Sequence, residues 1–99
     1  MVFSAQQIKF EFLTYIKEFD INPRAWRIGV AEDARQALFV ENGVHEVDDI
    51  WLWKPALSAA AAQLVYSYFV QRFGVAPAAH APTSKASNVF IFRKPSVAH

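Results

Sequence analysis

Apolar residues recur along the first twenty positions at helical spacing. Ile8, Phe12, Ile16 and Phe19 share one side, while Lys9, Lys17 and Glu18 offer a solvated one. Ser4-Ala5-Gln6-Gln7 is a capping-box pattern, with Phe3 before the cap and Ile8 placed to close a hydrophobic staple. Asn22-Pro23 ends this helix, because a proline pushes the residue before it out of helical backbone. The pattern then shortens to a strand over residues 25–30. Glu32 or Asp33 can cap a second helix over 34–42, which Gly43 terminates. A polar loop, Val44-His45-Glu46-Val47-Asp48-Asp49, leads to a second strand over 50–54, with Ile50/Leu52 on one face and Trp51/Trp53 on the other.

Pro55 suits the entry to a third helix, with Ser58 as an alternative cap and Gly74 as the stop. This helix is apolar nearly all round, which predicts a central element or one covered by another chain. Residues 76–88 are rich in small residues and read as a mobile loop. A third strand over 89–93 is again apolar on both faces, Val89/Ile91 against Phe90/Phe92; Pro95 closes it, and residues 95–99 are expected to fray. The expected fold is therefore one α/β (α+β) domain spanning residues 1–99. Its order is α-β-α-β-α-β, with a three-stranded sheet flanked by three helices.

Composition narrows the function classes. A chain of 99 residues buries roughly 60–68% of its unfolded surface, enough for a core without staples. It has no cysteine, which excludes disulfides and thiolate metal sites. The N-terminus shows no secretory pattern, and the alanine-rich stretch 55–74 is interrupted by Gln63, Gln71 and Arg72, so a cytoplasmic protein without membrane attachment is expected. With 54% hydrophobic and 15% aromatic residues, the small surface invites self-association. The net charge of +1 conceals a segregation. Residues 1–49 hold all nine acids and five of the ten bases, whereas residues 50–99 hold five bases and no acid. Such asymmetry suits an anionic partner or attraction between copies, unless the two halves interleave in space.

Several short motifs follow one another from Trp26 to Arg93: Arg27-Ile28-Gly29-Val30, Ala37-Leu38-Phe39, the strand Ile50-Trp51-Leu52-Trp53-Lys54, Tyr66-Ser67-Tyr68-Phe69, and Val89-Phe90-Ile91-Phe92-Arg93-Lys94. In order and spacing this run resembles small stand-alone domains of the GIY-YIG nuclease superfamily. The resemblance implies a scheme in which tyrosine helps activate water, arginine neutralises phosphate charge and a glutamate holds Mg²⁺. This chain places Arg27 where that tyrosine belongs, Ala37 where the arginine belongs and Tyr66 where the glutamate belongs. The first Gly-Ile-Tyr strand has no counterpart, and Ala76-Pro77-Ala78-Ala79-His80 replaces the glycine-rich loop. Without the carboxylate a hard divalent cation loses its protein anchor. The resemblance thus implies a degenerate scaffold, and no catalytic residue, metal or cofactor is assigned.

Other chemistry is thinly supported. Glu41, His45, Glu46, Asp48 and Asp49 match no metal-ligand spacing and read as a solvated loop. His80 has no defined partner, and Ser58, Ser67, Thr83 and Ser84 lack a nucleophile context. Arg27 either grips phosphate with Arg35, Lys54 or Arg93, or stacks on Trp51, Trp53 or Phe92, or pairs with Glu32 or Asp33. A protein partner or a homo-oligomer is expected, through an exposed apolar patch including Tyr66, Val70 and Phe73. One alternative is a nucleic-acid module that gathers Arg27, Lys54, Lys85, Arg93 and Lys94 on one face, with Phe90 and Phe92 as a stacking strand; another is an active GIY-YIG-type endonuclease that uses unorthodox residues.

Overall fold

In the computed structural model, residues 1–79 and 83–94 are described. Helix α1 (Ala5–Phe19) opens as its sequence requires: Ser4 Oγ accepts the Gln7 N–H at 3.2 Å and Gln7 Oε1 accepts the Ser4 N–H at 2.8 Å. It buries Ile8, Phe12 and Ile16. After a short 3₁₀ turn, Pro23–Ala25, come β1 (Trp26–Ala31), a helical segment, β2 (Trp51–Pro55), helix α2 (Ala59–Phe73), β3 (Ala76–Pro77) and β4 (Asn88–Arg93). Ser58 rather than Pro55 starts α2, accepting the Ala61 N–H at 3.1 Å, and Gly74 ends it in the left-handed region at φ +70°.

The sheet has four strands, not three. Their order is β2-β4-β1-β3, with β4 antiparallel to both neighbours and β3 parallel to β1. The additional strand falls inside the expected loop of residues 76–88. Gly74 turns the chain back beside β1, Val75 is buried, and the Ala78 N–H donates to the Ile28 carbonyl at 2.8 Å. Farther on, Ala86 is buried and the Thr83 hydroxyl donates to Glu32 Oε2 at 2.8 Å. Residues 80–82 of that loop, and the expected frayed tail 95–99, lie outside the described residues.

Alternation assigns the two faces of the sheet. Trp26, Ile28, Val30, Leu52, Val89 and Ile91 pack beneath both long helices, against Ile8, Phe12, Ile16, Ala62, Val65 and Phe69. The second face carries Ala31, Phe90 and Phe92 with half-buried Trp51 and Trp53, beneath Ala37, Leu38, Phe39 and Val44. The cover on this face is the expected second helix, in altered form. One α-helical turn at Ala34 and Arg35 passes into a π-helix, Gln36–Glu41. Asn42 fixes that wider winding. Its N–H and its Nδ2 both donate to the Ala37 carbonyl, at 3.0 and 2.8 Å, while its side-chain amide exchanges two hydrogen bonds with the backbone of Ala79. No described helix is long and apolar enough to cross a membrane.

Both edges of the sheet are shortened. On β2, Tyr15 Oη donates to the Trp51 carbonyl at 2.8 Å, the Phe3 N–H donates to the Pro55 carbonyl at 2.9 Å, and proline 55 has no N–H to offer. These contacts leave little outer edge for strand addition. At the other edge β3 has only two residues.

Candidate functional site

Helices α1 and α2 lie side by side on the same sheet face, and their contact is aromatic. The rings of Phe12 and Phe69 have centroids 5.9 Å apart, and Lys9 Nζ stands 4.4 Å from the Tyr68 ring centroid. Tyr68, Phe69 and Phe73 form a mutual trio at 5.3–5.8 Å. Beyond Phe73 the two helices leave an open apolar groove of about 200 Å³, lined by Leu13, Ile16, Lys17, Ile21, Pro23 and Phe73.

The segment that forms the groove's far wall is held by local hydrogen bonds. Trp26 Nε1 donates to the Asp20 carbonyl at 2.8 Å, Asp20 Oδ1 accepts the Asn22 N–H at 3.1 Å, and Asn22 Oδ1 accepts the Arg24 N–H at 3.1 Å. These contacts leave Ile21 75% exposed, while Phe73 is 38% exposed and Phe10, on the same flank of α1, is 71% exposed. Large apolar side chains gathered in this way are costly to leave in water, at about 25 cal/mol per Å².

The apolar patch expected from the sequence is displaced. Of its three residues, only Phe73 belongs to the groove; Tyr66 and Val70 are half-buried against the core beneath α2. Nor is α2 covered all round, since Ala60, Gln63, Leu64 and Gln71 are exposed on its outer side. One groove residue missed in the sequence was visible as an excess: Leu13, like the exposed Phe10, lies outside the Ile8–Phe12–Ile16 stripe, and the two widen the apolar arc of α1 beyond what one sheet face can bury.

The expected basic residues divide between two ends of the sheet. Lys54 pairs in register with Val89, near the start of β4, and its ammonium lies 4.8 Å from the Phe3 ring centroid on the helical face; Lys85 is exposed just before β4. Arg93 and Lys94 follow the opposite end, about 13 Å farther along the strand at 3.3 Å per residue. Arg93 reaches Asp20 at 4.0 Å, and the Lys94 N–H donates to the Ala25 carbonyl at 2.6 Å. Arg35 is taken up by Glu46 at 2.8 Å and by the Phe39 ring at 5.0 Å. Arg27 lies on the second face in register with Phe92, half-buried, and among the described residues it makes neither the ion pair nor the ring contact expected of it. The stacking-strand expectation is corrected as well: Phe90 and Phe92, 0% and 5% exposed, lie under the π-helix with parallel rings 6.5 Å apart.

The three positions singled out by the nuclease resemblance do not converge. Arg27 and Ala37 belong to the second face, whereas Tyr66 packs against the core of the first, so the sheet stands between them. In the acidic loop, Asp49 Oδ2 accepts the His45 N–H at 2.7 Å, His45 Nδ1 accepts the Asp48 N–H at 3.1 Å and Glu46 is bound to Arg35. Glu41 sits apart, in a shallow polar cleft with Glu32, Asp33 and Thr83. Among the described residues no group of three or more His, Cys, Asp or Glu is placed to hold a metal ion. His80 lies outside the described residues. Burial raises the Tyr15 pKa above its ordinary value of 10.0, and the charge of Glu18 adds to the shift.

Compared with known proteins, the chain matches no family model, no curated sequence and no solved structure.

Proposed function

We propose that this chain is a non-catalytic protein-interaction domain that receives another protein, or a second copy of itself, at the α1–α2 groove. The observation that carries the reading is the groove itself, open to solvent and edged by Leu13, Ile21 and Phe73. Its size suits a few anchoring side chains rather than a broad interface, because stable interfaces bury more than about 1,000 Å². Micromolar affinity, about 8 kcal/mol, is the range expected of such a contact. The absence of catalysis is supported by Arg27, Ala37 and Tyr66, which lack the side chains that the nuclease-like scheme requires. A degenerate GIY-YIG-like origin is part of the proposal, and the groove reading stands independently of it.

The test is selection of binders from a displayed random-peptide library, followed by binding to Ile21→Asp and Phe73→Asp variants whose thermal stability is checked first. Peptides that bind the parent chain and lose affinity with either variant support the reading. Peptides that bind all three proteins equally well, or failure to select any, refute it. Sedimentation over a wide concentration range separates a second copy from a different protein as the occupant.

A further inference from the structure

We infer that the occupant of the groove is an acidic amphipathic helix from a different protein, an inference that rests on the protein-interaction reading above. Charge carries it. Helix α2 contains no Asp or Glu, and the only acids of α1 are Glu11 and Glu18. At 3.6 residues per turn, Glu18 falls on the opposite side of α1 from Lys9, and Glu11 falls nearly opposite as well. Lys9 points across to α2, where its ammonium lies over Tyr68; Lys17 lines the groove; Arg72, one turn beyond Tyr68 on α2 itself, lies 6.0 Å from the same ring. Among the described residues none of these three cations enters an ion pair. The groove therefore has an apolar floor with Lys17 in its lining, two further cations at the nearby Tyr68 ring, and no carboxylate on the two helix flanks that face each other; Asp20, in the wall segment, is drawn to Arg93 at 4.0 Å.

The same distribution argues against a second copy. A twofold axis that pairs two α1 helices in antiparallel fashion places each flank against the identical flank of its partner. With the axis passing near Leu13, Lys9 of one copy then faces Lys17 of the other. Like charges so placed are unfavourable, and the acids that would neutralise the groove remain on the far side of the helix. The segregation of charge between the two halves of the sequence thus takes spatial form here: α2, from the acid-free half, meets the lysine-bearing flank of α1.

The flank of α1 that runs into the groove is long enough to receive a helix. Phe10, Leu13 and Lys17 follow one another along α1 over about 10 Å, or two turns, at 1.5 Å per residue. A partner helix laid there sets two apolar anchors three or four residues apart against Leu13, Ile21 and Phe73. Acidic residues flanking those anchors reach Lys9, Lys17 and Arg72, steering association and making it dependent on salt.

The selected library peptides test this through their composition. Sequences with a net negative charge and apolar residues at a spacing of three or four are expected, with affinity by fluorescence anisotropy falling about 5- to 10-fold in a Lys17→Glu/Arg72→Glu double variant. Both of these side chains are exposed, and a thermal melt verifies that the double variant folds. Neutral or basic peptides, or acidic ones indifferent to the double variant, overturn the inference. If their binding is still lost in Ile21→Asp, the protein-interaction reading survives alone; if no peptide depends on Ile21 or Phe73, both fall. A concentration-dependent dimer abolished by Ile21→Asp overturns the inference in favour of a second copy.

Discussion

Replacing Tyr15 by Phe tests how α1 is fastened to the edge of the sheet. The Tyr15 hydroxyl donates to the Trp51 carbonyl at 2.8 Å, while its ring packs against Phe19 and Trp26 at 4.7 and 5.9 Å. Phenylalanine keeps the ring contacts and removes only the donor. One neutral hydrogen bond contributes about 1 kcal/mol net, and the half-buried Trp51 carbonyl then has to find water. For a domain of this size that loss corresponds to a melting temperature lower by about 4–8 °C. A second signature lies in pH. The folded-state pKa of Tyr15 is raised, chiefly by burial, so the unfolded chain loses this proton first. Its contribution to stability is complete below the ordinary value near 10 and is lost as pH climbs through the folded value. Thermal melts followed by circular dichroism at pH 7 and between about pH 9 and 11 read both effects. The Tyr15→Phe protein is expected to melt lower at pH 7 and to lose less stability on the alkaline side than the parent. An unchanged melting temperature, or identical alkaline slopes, would refute the assigned role of the hydroxyl.

Phe90→Ala empties a fully buried site beneath the π-helix and is expected to cost about 3–5 kcal/mol in urea unfolding, whereas Phe10→Ala, on an exposed flank, should stay within about 0.5 kcal/mol. Gly74→Ala forces a side chain into the left-handed region at φ +70° and is expected to lower stability by about 1 kcal/mol in the same assay, with Gly74→Asn less harmful. Labelled DNA or RNA titrated in low salt is expected to show no micromolar, steeply salt-dependent anisotropy change, because Lys54 and Lys85 are separated from Arg27, Arg93 and Lys94 along the sheet.

Much of this architecture was written in local patterns. The capping box at Ser4 and Gln7, the left-handed stop at Gly74 and the two-faced apolar strands around Ile28, Leu52 and Ile91 all act through neighbours in sequence, and a reader of the chain can find them. The π-helix could not be found that way. Ala34, Ala37 and Leu38 keep ordinary helical spacing, and what widens the winding is the grip of Asn42 on Ala79, a partner far away in sequence. Strand β3 was hidden for a similar reason: Ala76-Pro77 has no strand signature and owes its conformation to the free edge of β1. The groove was legible only in part. Phe73 was singled out in the sequence, yet its companions come from α1 and from the bend at Ile21, and the choice of flank depends on how the two helices cross.

The position of β4 has a consequence for how the chain is made. This strand lies between β1 and β2 and pairs with both, although Arg27 and its partner Phe92 are far apart in the sequence. A ribosome that has released α1, β1, β2 and α2 has so far delivered two strands that do not touch and two helices with half a floor to rest on. Until Val89–Phe92 emerges, Trp26, Ile28 and Leu52 have no neighbour to share, and the nascent segment carries its aromatic side chains in the open. Closure of the sheet accordingly waits on β4, whose arrival joins β1 to β2 in one step.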